Sequence, residues 1–344
     1  MATFENGQGV HLDPRDPSAL APDLSTFSRV RREAASSAAM KVFRGCLTIG
    51  DETDVRAGVL DDLSTFYGFS RAECVDRCLH WEEWSVNEWK QQDRNDPNAI
   101  TEFYKSTESW SFDLLWYAYL QAVEYAYPVS VAIAESLRRS ASAKGEHLDF
   151  GSGVGVTGQL FSRLGYRSSL ADISTTLQKF AKFRLDRRGD QVSFIDLNEM
   201  SLEPNRYDVI TAIDTLVHIP NLPATMEKLH RALRPGGVLF ANFDTRPKEA
   251  DGNQWHLYSD DLDLRYRLHR VGFEPVEQLD FMSTRYQRVD TDGVMHAVRG
   301  VRDRLLIKSP LRPAFRAAKS QVLGLAKRLM GSPTDAGHQL YTSS

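Results

Sequence analysis

Residues 148–158 read LDFGSGVGVTG. A short apolar run, HLDF at 147–150, stops at three alternating glycines, Gly151, Gly153 and Gly155. An apolar run that ends in a glycine-rich turn predicts a buried strand feeding a helix, here beginning near Val156. Glycine lets the chain turn tightly and lets a ligand approach bare backbone. The helix N-terminus would point into the same crevice, beyond the C-terminal strand ends, where open α/β sheets bind ligands.

Working outward, strand and helix patterns alternate. Further β-prone pieces are SSLAD (168–172), QVSFI (191–195), YDVITAI (207–213), GVLFANF (237–243), FEPVEQL (273–279) and TRYQRV (284–289). Helical patterns lie between several of them, as in LPATMEKLHRALR (222–234) and DDLDLRYRLHRVG (260–272). That order predicts an α/β fold, a doubly wound, mostly parallel seven-stranded sheet over 141–290. The small, polar ASAKGE (141–146) marks its start. Residues 1–25, rich in Pro, Asp and Gly, read as a flexible arm, 26–140 as a helical N-terminal cap, and 291–344 as a basic C-terminal helical extension.

The cap is unusually aromatic. HWEEWSVNEW (80–89) would place Trp81, Trp84 and Trp89 within an arc of about 140° on a helix, interrupted by Ser85 and Glu88. Residues 101–139 carry Trp110, Trp116, Tyr117, Tyr119, Tyr125 and Tyr127, and Pro128 is expected to end or kink a helix there. One reading is a core between helices. The other is that Trp110, Trp116, Tyr117 and Tyr125 line a substrate pocket under the cap, and the two are compatible.

The charges beside the glycine turn narrow the ligand. Gly153, Gly155 and Gly158 satisfy the literal G-x-G-x-x-G pattern, which alone does not choose a cofactor. Asp149, at the mouth of the turn, would repel a pyrophosphate but suit the ammonium of an amino-acid moiety. Asp172, ending SSLAD, can accept both hydroxyls of a ribose. Asp196, after QVSFI, can accept from an adenine amine. Three acids on consecutive strand ends suit a ligand with an ammonium, a ribose and an adenine but no phosphate, as in S-adenosylmethionine.

These residues resemble the class I S-adenosylmethionine-dependent methyltransferase family. LDFGSGVG is similar to its glycine-rich motif, LAD to its ribose-binding acidic motif and FIDLNEM to its adenine-binding motif. YDVITAIDTLVHIP resembles its fourth strand and the segment after it, and LRPGGVLF the turn into its fifth strand. The resemblance implies S-adenosyl-L-methionine as cofactor and S-adenosyl-L-homocysteine as product. It assigns Asp149 to the methionine end and the backbone of Gly151, Ser152, Gly153 and Gly155 to the methionine and ribose side. Asp172 would hold the ribose hydroxyls with Ile173 against adenine. Asp196 and Leu197 would meet the adenine edge, and Ile213 and Asp214 would face the methionine portion.

Methyl transfer needs an in-line nucleophile, so much of the rate gain comes from proximity and orientation, and a base is needed only if the acceptor must lose a proton. His218, in DTLVHIP, is the first candidate base, or else a pocket-lining group, and His256, in NQWHLYS, is the second. Arg246 and Trp255 are candidates for recognising an anionic or planar acceptor. No histidine spacing or carboxylate cluster calls for a metal. The expected partner is a small-molecule acceptor, a specialised metabolite or lipid-like compound. A protein methyltransferase would need an open groove, an NAD-dependent oxidoreductase fits Asp149 poorly, and a non-catalytic cofactor-binding scaffold would lack an acceptor cavity.

Composition sets the outer bounds. The 344 residues, at about 150 per domain, allow about two domains. With 42 Lys and Arg against 46 Asp and Glu there is no global positive field for nucleic acid. Cys46, Cys74 and Cys78 cannot make a dense disulfide framework, and Cys74 and Cys78 read as packing. No apolar run approaches the roughly 20 residues of a bilayer span, and a cytoplasmic location is expected. Residues 291–330 hold nine basic and two acidic residues. LRPAFRAAKSQVLGLAKRLM (311–330) could form a basic amphipathic helix on an anionic membrane surface or a partner, or else be a solvated tail or a helix packed on its own acidic domain. The oligomeric state is left open.

Overall fold

The computed structural model describes residues 27–91, 97–140, 144–243, 257–258, 261–280, 282–289, 291 and 293–308. The cap is built from α1 (Arg29–Ala35), α2 (Ala38–Gly45), α3 (Val55–Tyr67), α4 (Arg71–Leu79), α5 (Trp81–Lys90), α6 (Pro97–Ser106), α7 (Ser109–Ala122) and α8 (Val129–Arg139). Local chemistry sets several of these ends. The Asp54 side chain accepts the amides of Arg56 and Ala57 at the start of α3, and Gly68, at φ 75°, ends it. Ser70 and Glu73 form a reciprocal capping box on α4.

Pro128 does not end or kink α7. That helix stops at Ala122, and Glu124 turns the chain at φ 66° so that the Tyr125 amide reaches Leu120 O at 2.9 Å. Pro128 instead precedes α8, where its missing N–H costs nothing.

The second half runs β1 (Glu146–Phe150), α9 (Val156–Arg163), β2 (Arg167–Asp172), α10 (Thr175–Arg188), β3 (Ser193–Asp196), β4 (Tyr207–Ala212), α11 (Leu222–Ala232), β5 (Leu233–Ala241), α12 (Asp261–Val271), β6 (Phe273–Leu279), β7 (Ser283–Arg288) and α13 (Val294–Lys308). The seven strands lie in the order β3-β2-β1-β4-β5-β7-β6, and β7 alone runs opposite to the other six. The expected doubly wound, mostly parallel sheet is present. Its order reverses between β1 and β4, which opens the crevice next to the glycine turn. Helix α11 ends two residues sooner than its apolar pattern, because Leu233 pairs with Tyr207 in the sheet.

Two cores flank the sheet. Leu148, Phe150, Ile210 and Leu239 pack against α11 and α12 through Met226, Leu229, Leu264 and Leu268. The other cluster joins Val209, Val238 and Phe240 to Phe161, Phe180 and the cap residues Phe43, Phe112 and Ile133. The cap and the sheet therefore share one continuous buried cluster, which crosses residue 140.

A buried ion cluster joins them too. Asp62 on α3 and Arg184 on α10 are both fully buried. The Asp62 carboxylate accepts from Arg184 Nε at 3.1 Å, Arg187 Nη1 at 2.9 Å and Arg188 Nη2 at 2.7 Å. Arg184 also donates to Val154 O in the glycine turn at 2.7 Å and to Cys46 O at 3.2 Å. Burial pulls the Arg184 pKa down to about 10, against the pull of Asp62, so the guanidinium stays charged at neutral pH.

The basic extension begins as α13, docked on α12 with His296 stacked on His269 at 4.3 Å. Val294, Val298, Val301 and Leu305 of α13 are exposed. Residues 309–344, which include the amphipathic stretch 311–330, and the arm at 1–25 lie outside the described residues. No helix among the described residues is long and apolar enough to cross a membrane.

Asp62→Ala should destabilise the fold by about 3–5 kcal/mol, because it strands a buried guanidinium without its carboxylate. Urea unfolding should show this as a lower midpoint, and an unchanged midpoint would remove the cluster from the stability of the fold.

Candidate active site

Parallel pairing sets Phe150 opposite Ala171 and Asp172 opposite Asp196, so β1, β2 and β3 end side by side. The glycine turn leaves β1 at that edge. Gly151 and Gly153 take φ values of 71° and 51°. A Cβ on Gly151 would lie 2.3 Å from Thr215, and one on Gly153 would lie 2.7 Å from Leu114 of α7. Only glycine meets both demands, the left-handed backbone and the close approach. The amides of Gly151 and Ser152 donate to Ala171 O at 2.8 and 3.2 Å, which pins the turn to β2.

Asp172 is the hub. Its Oδ2 accepts the Gly153 amide and its Oδ1 the Ser174 amide, both at 2.8 Å. Burial pushes its pKa up, Asp196 adds to this, and the amide bonds oppose it. A carboxylate offers about four lone-pair sites, so two hydroxyls can still be accepted. The Leu197 amide donates to Asp172 O at 3.0 Å, and Asn198 Nδ2 donates to Ile173 O at 2.9 Å and to Asp196 Oδ1 at 2.7 Å. Ile173 beside them keeps 37% of its surface exposed, an apolar face of the right kind for a base. The structure thus brings Asp172, Ile173, Asp196 and Leu197 together.

Asp149 sits beneath the turn. Its Oδ1 accepts the Thr211 hydroxyl at 2.8 Å and its Oδ2 the Gly158 amide at 3.0 Å. Burial pushes its pKa up to about 7, those two bonds oppose the shift, and the neighbouring Asp172 adds to it. In the glycine turn, Ser152 Oγ is buried with no hydrogen-bond partner among the described residues. An unsatisfied hydroxyl and a buried carboxyl close to bare glycine backbone fit an amino-acid zwitterion, and Asp172 fits a ribose. The residues present therefore suit an adenosyl amino-acid cofactor.

Half-buried Ile213 and exposed Asp214 follow β4. Asp214 adopts φ 50°, and its amide donates to Asn242 Oδ1 at 2.7 Å while Asn242 Nδ2 bonds back to its side chain. His218 closes the 3₁₀ turn Leu216–His218. Its ring centroid lies 6.5 Å from that of Trp110, at the start of α7. Trp110 is held by Nε1 donating to Ser85 Oγ at 2.9 Å and by edge contact with Phe103 at 5.6 Å. Glu88 accepts from Ser109 at 2.6 Å. The two polar residues that break the aromatic side of α5 are its ties to α7.

The cap thus reaches the sheet edge at three places. Lys105 O of α6 accepts from Ser174 Oγ at 3.4 Å, Leu114 meets Gly153, and Trp110 faces His218. Trp116 is placed elsewhere, buried in the cap core against Tyr119 at 4.7 Å and 5.7 Å below the Arg56 guanidinium. Tyr117 and Tyr125 are half-buried against the same core. Arg246, Trp255 and His256 lie outside the described residues, although Leu257 and Tyr258 bond to Val217 O and Ile219 O at 2.9 and 2.8 Å.

Sequence reasoning missed Leu114, Thr211 and Asn242. Leu114 carried no signal, being one apolar residue among many. Thr211 and Asn242 are polar residues within or just after apolar strand runs, which was a usable one. Among the described residues His269, Glu274 and His296 could bring three ligand atoms within 4.8 Å of one another. The two imidazoles stack at an interplanar angle of 20°, His269 Nε2 lies 3.0 Å from His296 O, and Arg299 pairs with Glu274.

The family described as "Methyltransferase domain" matches residues 125–278. Residues 125–278, just under half of the chain, thus match a methyltransferase domain, in line with the class I resemblance of the sequence motifs. A sterol 24-C-methyltransferase of Clavispora lusitaniae is 27% identical over 168 residues, 44% of this chain and 42% of that protein. A ubiquinone biosynthesis O-methyltransferase of Nitrosomonas europaea is 30% identical over 105 residues, 29% of this chain and 45% of that protein. The chain spans less than half the length of these relatives. A solved structure of a 1,6-didemethyltoxoflavin-N1-methyltransferase from Burkholderia thailandensis is 18% identical, with a TM-score of 0.37 over 47% of this chain and 77% of that one. The glycine turn, Asp149 and Asp172 suit S-adenosyl-L-methionine as the cofactor of such a domain.

Asp172→Ala should weaken S-adenosylmethionine binding by about 1–3 kcal/mol in calorimetry, by removing a charged acceptor. An unchanged dissociation constant would take Asp172 out of the site.

Proposed function

We propose that the protein transfers a methyl group from S-adenosylmethionine to a small-molecule acceptor, a specialised metabolite or lipid-like compound, held between the cap and the C-terminal edge of the sheet. The observation that carries this reading is the approach of Trp110 to His218 across that edge, with Leu114 of the same helix against Gly153. Trp110 at that edge, backed by ring contacts with Tyr104 and Phe103, supports an enclosed apolar acceptor over a protein substrate. Relatives named for sterols and for ubiquinone biosynthesis support an acceptor with apolar surface.

The bound cofactor supplies an electrophilic methyl group on a sulfonium. The protein's part is to hold and orient. The Gly151–Gly155 backbone and Asp149 grip the amino-acid end, and Asp172 fixes the ribose. Trp110 and Leu114 exclude water, and alignment then provides much of the acceleration. A ring nitrogen of His218 takes the proton of an oxygen or nitrogen acceptor. Residues 309–330 add a peripheral contact with anionic lipid to a cytoplasmic protein, supported by their basic, amphipathic sequence.

His218→Ala should leave cofactor affinity unchanged and slow single-turnover methyl transfer at least about tenfold, with loss of a pH-dependent step. A raised acceptor KM with little change in kcat would instead make His218 a pocket wall. Wild-type behaviour in both would exclude it from the acceptor site. Association with liposomes should require anionic lipid and fall with salt, and truncation after Lys308 should abolish it. Equal association with neutral vesicles at high salt would defeat that contact.

A further inference from the structure

We propose that His147 and Thr211 are positioning residues that aim the Asp149 carboxylate at the ammonium group of the cofactor, through a buried chain that runs from Ser168. This rests on the reading of Asp149 as part of the cofactor site. The pleat puts His147 and Asp149 on the same face of β1, because Leu148 and Phe150 face the opposite core. Register places Ser168 of β2 beside His147 and Thr211 of β4 beside Asp149. Thr211 is thus diagonal to His147, within side-chain reach.

The contacts form an unbroken series. His147 Nδ1 lies 3.1 Å from Ser168 Oγ, and its Nε2 lies 3.0 Å from Thr211 Oγ1. Thr211 Oγ1 lies 2.8 Å from Asp149 Oδ1. The direction of every proton follows from the last member. An ionised carboxylate only accepts, so Thr211 donates to Asp149. A hydroxyl has one proton, so His147 Nε2–H must donate to Thr211. The bare Nδ1 then accepts from the Ser168 hydroxyl. This requires a neutral imidazole, and complete burial pushes the His147 pKa down to about 3. Phe161 stacks on the ring at 4.1 Å and fixes its plane.

The donor from His147 matters because Thr211 has a second acceptor within reach. Leu148 O lies 3.5 Å from Thr211 Oγ1. With Nε2–H on one lone pair, the hydroxyl proton is directed to Asp149. Without it, the proton can turn to the carbonyl, and the carboxylate loses a bond that favours its charged form.

The titratable groups that face Asp149 are His147 on its own strand and Asp172 on β2, whose like charge raises its pKa. Thr211 on β4 and the Gly158 amide on α9 oppose that, and Tyr166 lies beyond His147, 6.4 Å from its ring. Since the folded protein holds the Asp149 proton up to about pH 7, the charged form that attracts an ammonium is lost as pH falls through that value. Cofactor affinity should therefore rise with pH through the same range, and removing a bond to the carboxylate should move the midpoint upward.

The test is calorimetric titration with S-adenosylhomocysteine, and with 5′-methylthioadenosine, which lacks the amino-acid end, between about pH 5 and pH 8. Thr211→Val should weaken S-adenosylhomocysteine about tenfold at neutral pH, the size of one lost hydrogen bond to a charged group, and shift the midpoint up. Thr211→Ser should restore both. His147→Phe keeps the stack on Phe161 and should shift the midpoint the same way. Methylthioadenosine should bind all four proteins alike. Wild-type constants and midpoints in Thr211→Val and His147→Phe, with only a lower melting temperature, would overturn the proposal, as would an equal loss of methylthioadenosine binding. If Thr211→Val does not fold, His147→Phe decides the matter alone. Failure of the wild-type protein to bind either ligand would instead refute the cofactor reading itself.

Discussion

The guanidinium of Arg184 is the constraint on which the rest hangs. It is fully buried and spans three parts of the chain, Asp62 of the cap, Cys46 O at the end of α2 and Val154 O in the glycine turn. A buried charge is tolerated only when it is paired and its donors are satisfied. The planar fork of arginine meets that requirement by reaching several acceptors at once. Any displacement of the cap would leave this charge unpartnered, so the cap and the ligand-binding turn must stay in one arrangement.

That arrangement explains why the cap reaches the sheet edge where it does. Arg187 and Arg188 extend the cluster to Asp61 and Thr48 O and hold α3 along α10. With α3 fixed, α7 packs across it and brings Leu114 to Gly153 and Trp110 to His218. The aromatic residues therefore divide by position along one helix. Trp116 faces the buried cap core, and Trp110, less than two turns earlier, faces the crevice.

The same economy appears inside the sheet. Buried strand faces are ordinarily apolar, yet β1 and β4 carry His147, Asp149 and Thr211 on one face. Low dielectric makes each polar group costly alone and strong when paired. Their mutual bonds satisfy them, and the series ends at the carboxyl beneath the glycine turn. Polar residues that break an apolar pattern are, here and in α5 through Ser85 and Glu88, the joints between elements.

The sheet, its direction and the adjacency of the three acids were legible in the sequence, because strand alternation, the glycine turn and the acids at successive strand ends are local features. LDFGSGVG, LAD and FIDLNEM each mark a strand end, and parallel pairing leaves those ends adjacent. The end of α7 was not legible, since Glu124 in a left-handed conformation, and not the more conspicuous Pro128, turns the chain. Nor was the Asp62–Arg184 pair, whose members stand 122 residues apart and look like ordinary charges on helix surfaces. Which rings face the crevice, and that His147 reaches Asp149 through Thr211, depend on strand register and on how α7 is rotated against its neighbours. Periodicity assigns a residue to a face of its own element, but only packing decides what that face meets.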